Sequence, residues 1–391
     1  MKFKQILILL LVLALLPVQA FAAEQTCGDD AYWQVEGGTL TIRGTGVIYD
    51  YYGYDVYTPW HEMEQEITRV VIEEGITGIG TMAFGNMTAL VEVSLPDTLT
   101  TIGSFAFLDC DALETVALPA GLRSLGQQAF AWCDSLKSME IPASVTFVDA
   151  CVFENCTALT DVLFRADPEI YAYTMGNSVF RGCHSLEEIR VEEGHRVLCV
   201  IDGALYFRWS NGAMNLNSYP GGRKDPHWQV AEGAISIGQI GVNNPYLETV
   251  TFPASLESIG HYAFQGCENL KKLEFLGSAP SMGAGVFMSC PGGVTVVCPD
   301  DESWESARES WGSLFGMNGF PVWAGDGAAR GDVDGDGSVN VKDVILLRQY
   351  MAGWNVTVDP NGADCDGDGT TTLKDVILLR QHLAGWNVSL G

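Results

Sequence analysis

Two stretches near the C-terminus hold the residues best suited to chemistry. In the first, oxygen donors come from Asp332, Asp334, Asp336, Ser338, Asn340 and Asp343. In the second they come, in the same order, from Asp364, Asp366, Asp368, Thr370, Thr372 and Asp375. Side chains fall at positions 1, 3, 5, 9 and 12 of a twelve-residue loop, and Gly337 or Gly369 bends each loop at position 6. Ser338 or Thr370 offers its backbone carbonyl at position 7. Hard oxygens in that number suit Ca²⁺, which takes six to eight of them, so two ions are expected. Without the ions the aspartates repel one another, and metal binding should be coupled to folding of the loops. Residues 332–356 laid on 364–388 agree at 18 of 25 positions, which a chance run of acidic residues does not explain.

Each loop must be held by a single helix after it, over 341–352 or 373–384, that repeats Val-Ile-Leu-Leu-Arg-Gln and ends at Ala-Gly-Trp. Val344, Ile345, Leu347 and their counterparts Val376, Ile377 and Leu379 are expected to form a small core between the two helices. The ligand spacing is that of an EF-hand, with two departures. Position 12 is Asp343 or Asp375 where an EF-hand has the longer Glu, and no good entering helix precedes Asp332.

Loop-helix repeated twice resembles the type I dockerin module, over residues 331–391. The resemblance implies a small all-α calcium-binding domain that grips a cohesin module on a scaffoldin, in extracellular polysaccharide-degrading complexes of the cellulosome type. In that family the partner contacts lie at loop positions 10 and 11 and one to two helical turns beyond. Carried onto this chain, these are Val341, Lys342, Arg348 and Gln349, with Leu373, Lys374, Arg380 and Gln381 in the second copy. Val-Lys and Leu-Lys differ from the Ser-Thr pair of one specificity group, which leaves the cohesin group open. The near identity of the copies implies docking in either of two orientations related by a half-turn.

The longer part of the chain is built on a 23-residue period. Phe84, Phe107, Phe130 and Phe153 are 23 apart, with Leu90, Leu113, Leu136 and Leu159 in phase. Cysteine follows the Phe by three at Cys110, Cys133 and Cys156, with Met87 in that place in the first coil. The pattern returns at Phe180, Cys183 and Leu186, at Phe264, Cys267 and Leu270, and at Phe287 and Cys290. A period this short fits a solenoid whose coil has one short strand and a helical or 3₁₀ closing segment around the Ala-Phe pair. One coil cannot bury its Phe and Leu alone, and stacking buries them as a continuous ladder.

These residues, as in Ile102, Gly103, Ala106, Phe107, Cys110 and Leu113, resemble the BspA-like leucine-rich repeat family. The fold expected is an α/β leucine-rich repeat solenoid followed by the dockerin domain. The resemblance divides the chain into an N-terminal cap (24–66), repeats (67–290, with irregular coils at 190–235), a C-terminal cap (291–323), a short Gly-rich linker (324–330) and the dockerin (331–391).

Six of the eleven cysteines share one repeat position and read as buried thiols. Cys27, Cys151, Cys199, Cys298 and Cys365 lie outside that phase, which leaves pairing among them open. The chain contains no C-x₂-C pair, so a zinc site is not expected. No G-x-S-x-G or H-E-x-x-H occurs, and the six histidines are scattered, so the chain reads as non-catalytic. Tyr49, Tyr51, Tyr52, Tyr54, Tyr57 and Trp60 make an aromatic cluster that could stack on sugar rings or serve only as a cap insertion.

Composition agrees with this reading. A formal charge of -28 over 391 residues argues against nucleic acid and anionic lipid as partners. Lys2, Lys4, the apolar run from Ile6 to Leu16 and Ala20-Phe21-Ala22 read as a signal peptide over 1–23, so the protein is expected to be secreted. The run is too short to span a bilayer. The first functional reading is a cohesin-docked, non-catalytic component whose repeats present a surface to a protein or glycan. The alternative is a complex-associated hydrolase or inhibitor with its site in the irregular block.

Overall fold

The computed structural model describes residues 25–53, 56–170, 172–299, 302–311, 322–323, 330–335, 339–354, 356–366, 370–386, 388 and 390. Residues 1–24, which include the expected signal peptide, together with Tyr54, most of residues 324–330, Asp336, Ser338 and Asp368, lie outside the described residues. No helix among them is long and apolar enough to cross a membrane. The chain folds as two compact units, 1–203 with 220–222, and 204–219 with 223–391.

The first unit starts with an antiparallel hairpin, Asp30–Glu36 with Thr39–Val47. The second hairpin strand then pairs in parallel with Arg69–Ile72 through its first half and with Ile76–Ile79 through its second. From there two parallel ladders run along the stack. In one, Ser138–Ile141, Asp161–Phe164 and Glu188–Val191 follow in register. In the other, Thr101–Ile102, Ser124–Leu125, Phe147–Val148 and Thr174–Met175 do so. Alternation fits this arrangement: Met139, Ile141, Val162 and Phe164 point inward and are buried, while Ser138 and Glu140 are exposed. Gly103 and Gly126 allow the coils to stack closely. A Cβ on Gly126 would lie 2.4 Å from the Ser104 amide nitrogen, closer than any side chain tolerates.

The phenylalanines stack ring on ring, with centroids 5.3 Å apart for Phe84 and Phe107, 5.2 Å for Phe107 and Phe130, 5.8 Å for Phe130 and Phe153, and 5.7 Å for Phe153 and Phe180. Trp60 caps this column, 5.6 Å from Phe84 and near-parallel to it. It is fully buried and so stands apart from the exposed tyrosines that precede it in sequence.

The closing segments depart from the helical or 3₁₀ geometry expected. Among the described residues the only 3₁₀ helix of this unit is His61–Met63, in the cap. Elsewhere Phe105, Gln128, Cys151 and Ser178 hold φ near +60°, and so do Asn86, Asp109, Trp132 and Asn155. Alternate amides turn inside the coil, as Leu108 N–H to Phe105 O, 3.1 Å. The others bridge to the next coil, as Phe105 to Gln127 O, Phe107 to Ala129 O and Asp109 to Ala131 O at 2.8–2.9 Å. A left-handed residue costs about 1–2 kcal/mol. A satisfied buried amide avoids a penalty of about 1–3 kcal/mol, and that exchange sets the geometry.

The repeat cysteines have a matching task. Cys110, Cys133, Cys156 and Cys183 donate their thiols to the carbonyls of Phe84, Phe107, Phe130 and Phe153 at 2.9–3.2 Å. Burial pushes the Cys110 thiol well above its ordinary value. Met87 breaks the series without loss, because the Trp60 carbonyl that a thiol there would serve already accepts the Met63 amide at 2.8 Å. No disulfide joins any two of the eleven cysteines, those at 27, 151, 199, 298 and 365 included.

In the second unit Ala204–Arg208 and Met214–Ser218 form an antiparallel hairpin. His227–Gln229, Thr249–Phe252, Lys272–Phe275 and Thr295–Val297 make a parallel ladder. Cys290 donates to the Phe264 carbonyl at 3.1 Å, as in the first unit. The ladder continues to Val322–Trp323, which pairs with Thr295–Val297, and helix α1 (Glu302–Ser310) packs Trp304 and Trp311 against Phe275 at 4.9 and 5.5 Å.

Candidate calcium and docking site

The C-terminal residues form helix α2 (Val341–Met351), the short helix α3 (Pro360–Ala363) and helix α4 (Leu373–Leu383). Both long helices begin with a capping box. Asn340 Oδ1 accepts the Lys342 amide at 2.9 Å, and Asp343 Oδ2 accepts the Asn340 amide at 2.7 Å. In the second copy Thr372 Oγ1 accepts from Lys374 at 3.2 Å and Asp375 Oδ2 from Thr372 at 2.7 Å. The helices share an apolar core of Val333, Val344, Leu347, Ala363, Cys365, Val376 and Leu379. The amide of Asp359 donates to Val333 O and that of Gly331 to Gly362 O, so each half braces the other.

Asp343 and Asp375 are fully buried. Stripping a carboxylate of water is costly unless donors replace it. Here Asp343 Oδ1 accepts the amides of Val333 at 2.7 Å and Asp334 at 3.2 Å, and Asp375 Oδ1 that of Asp366 at 3.1 Å. The positive end of each helix lies alongside. Loop start and helix start are thus tied to one carboxylate.

The carboxylate oxygens of Asp332, Asp334 and Asp343 gather within 4.8 Å of one another, and so do those of Asp364, Asp366 and Asp375. Three like charges at that spacing, two of them buried in the first cluster (Asp332 and Asp343) and one in the second (Asp375), fit a hard divalent cation bound through oxygen. The second cluster already draws one cation, the Lys374 ammonium, which pairs with Asp366 Oδ2. Asn340 and Thr372 stand at the helix caps beside the clusters, and Thr370 is exposed on its loop.

The residues that the dockerin resemblance points to as partner contacts lie as a stripe on each helix. Val341 is 66% exposed and Leu373 67%, and Lys342, Arg348, Lys374 and Arg380 are exposed beside them, with Gln349 and Gln381 half-buried. Ile345 and Ile377 do not join the small core as expected: they are 53% and 56% exposed. The phase explains it. Residues 341, 345 and 348 stand at i, i+4 and i+7 on one face, whereas 344 and 347 turn to the other. That spacing is visible in the sequence, and it adds two apolar residues to the stripe. Trp354 and Trp386, each 62% exposed, repeat the symmetry just beyond the helices.

The family model of the BspA type leucine rich repeat region matches in 6 copies, over residues 62–187 and 235–305, half of the chain. The dockerin type I domain matches residues 330–384. No curated protein matches the chain. Among solved structures, a leucine-rich repeat protein from Eubacterium ventriosum is similar at 18% identity and TM-score 0.51, covering 70% of this chain and 71% of that one. The pneumococcal vaccine antigen PcpA is similar at 18% identity and TM-score 0.52, covering 71% and 82%. At that identity the likeness speaks for the fold. The stacked Phe-Cys coils and the twin capped loops agree with both family models: the chain belongs to the BspA-type leucine-rich repeat family and carries a type I dockerin domain at its C-terminal end.

Proposed function

We propose that this protein is a secreted, non-catalytic component that docks onto a cohesin-bearing scaffoldin of an extracellular polysaccharide-degrading complex and presents its repeats as a binding surface. Domains of the two types found are non-catalytic, and type I dockerins bind calcium and pair with cohesins. One Ca²⁺ per loop would be held by Asp332, Asp334, Asp336, Ser338, Asn340 and Asp343, and by Asp364, Asp366, Asp368, Thr370, Thr372 and Asp375. The ion supplies the positive charge that lets three carboxylates share one loop. The chain's own residues do the rest: Asp343 and Asp375 fix where each helix starts, and the helix phase sets the exposed stripe.

The observation that carries this reading is the duplication of the stripe. Val341, Lys342, Ile345, Arg348 and Gln349 are matched by Leu373, Lys374, Ile377, Arg380 and Gln381 on helices packed through one core. An apolar centre rimmed by cations suits a protein partner with an acidic rim. The test is titration of the full chain against a set of immobilised cohesin modules, with Ca²⁺ and with EDTA. Binding to at least one cohesin, abolished by EDTA, is expected. Equal binding in EDTA would overturn the reading.

A further inference from the structure

The exposed tyrosines at the N-terminal end of the first unit are used by neither the fold nor the docking face. Trp60 and Tyr51 serve the cap, since Trp60 is fully buried and Tyr51 packs edge-on against it at 5.9 Å. Tyr52 and Tyr57 do not: they are 72% and 61% exposed. A cap insertion would cover such rings. Instead they stand at a cleft of about 520 Å³, whose wall also includes Thr58, His61, Glu64 and Asn86. That size lies within the range of sites for small organic ligands.

Both rings are held in place. Tyr52 stacks on Phe105 at 5.9 Å with 10° between planes, and Phe105 is itself fixed by its amide bond to Gln127 O. Tyr57 leans on the His61 ring at 4.5 Å. Exposed rings already fixed in position lose little entropy when a ligand covers them. The polar groups are mixed in kind. Glu64 Oε2 lies 3.0 Å from His61 Nδ1, the exposed Asn86 side chain adds an amide, and the Thr58 hydroxyl is buried at the wall with no hydrogen-bond partner among the described residues. No Lys or Arg is among the described lining residues, and a carboxylate is, which disfavours phosphate, sulfate and uronate.

Flat apolar ring faces beside amide, carboxylate and hydroxyl groups match one chemistry. A neutral pyranose shows an apolar C–H face to an aromatic ring and hydroxyls at its rim. We propose that this cleft binds a pyranose unit of a neutral polysaccharide, with Tyr52 and Tyr57 as stacking platforms. The site rests on the reading of the repeats as a ligand-presenting surface, and it is independent of the dockerin.

The test is calorimetric titration of the full chain with cellohexaose, xylohexaose and mannohexaose, and with a proline-rich peptide as the competing aromatic-cleft ligand. At least one hexaose should bind. Tyr52→Ala and Tyr57→Ala should each weaken that binding tenfold or more, about 1.4 kcal/mol. Tyr52→Phe, which keeps the ring face, should retain it. The urea midpoint and circular dichroism of the same variants should be unchanged, which shows the first unit folded, and unchanged cohesin affinity separates failure here from failure of docking. Absence of binding to all three hexaoses, binding of the peptide alone, or full affinity in both alanine variants would overturn the proposal.

Discussion

Asp343 Oδ1 accepts the amide of Val333, ten residues before it, at 2.7 Å, while Oδ2 accepts that of Asn340 at 2.7 Å. One buried side chain therefore closes the loop and starts the helix. Asp343→Ala should remove a cap interaction of about 1 kcal/mol and strand buried amides at about 1–3 kcal/mol. Hydrogen exchange of the full chain should show protection lost at residues 333, 334 and 340 while the second loop keeps its own. EDTA should loosen both loops together, because carboxylates gathered within 4.8 Å then repel unscreened. Unchanged protection in the variant would mean that the loop is closed by something else.

The doubled stripe leads to a second expectation. If either helix can lead, Lys342→Ala with Arg348→Ala removes one of two equivalent orientations, and cohesin affinity should fall by only about twofold, or 0.4 kcal/mol. The same change in both copies, adding Lys374→Ala and Arg380→Ala, should abolish binding. Ile345→Asp and Ile377→Asp should behave likewise, since each puts a charge at the apolar centre of one face. Surface plasmon resonance on one cohesin measures all of these. Loss of binding from the first pair alone would show that the two faces are not equivalent.

Cys151 gives a pH-dependent test. Burial, with Glu154 next, pushes its thiol up to about 11 from an ordinary 9.0. Between those values the folded chain keeps a proton that the unfolded chain releases. The stability linked to this group is therefore intact below pH 9 and declines as pH rises toward 11. Only the thiolate alkylates, so the rate at Cys151 should climb about tenfold per pH unit through that window in native protein. Urea-unfolded chain should level off near pH 9. Iodoacetamide labelling read by peptide mass spectrometry follows both, and a native rate that levels off near pH 9 would contradict the buried setting.

Much of this architecture can be read from residue types alone, because the interactions that build it recur at one spacing. A Phe at the same place in every coil means a stacked column, and paired Asp-rich loops lead to carboxylates gathered at 332, 334 and 343 and at 364, 366 and 375. What escapes is geometry that depends on the next coil. Nothing in the types Phe105 or Gln128 announces a left-handed backbone; the inter-coil amide bonds impose it, and their acceptors, Gln127 and Ala150, lie a full coil further along the chain. Trp60 escapes for a similar reason. It joins the ladder one coil ahead of Phe84, slightly out of step with the period and not as a phenylalanine, so neither type nor spacing marks it. Ile345 is misplaced when its apolar character is weighed without its phase relative to Val341 and Arg348.

The column itself can be tested at its centre. Phe107 is fully buried between Phe84 at 5.3 Å and Phe130 at 5.2 Å. Phe107→Ala removes a ring from both stacks and opens a cavity that the coils cannot close, since their backbones are pinned by the amide bonds of Phe84 to Ala106 O and Phe107 to Ala129 O. The expected loss is about 3–5 kcal/mol. The Cys133 thiol should stay in place, because its acceptor is the backbone carbonyl of residue 107 rather than the ring. In a solenoid each coil leans only on its neighbours, so the damage should be local. Urea unfolding should show a lower midpoint for the transition that includes the first unit, and hydrogen exchange should loosen the coils of Phe84 to Phe130 first. Cohesin binding by the C-terminal helices should survive unaltered. An intact midpoint would mean that the ring column contributes little, and that the strand and amide ladders alone hold the coils together.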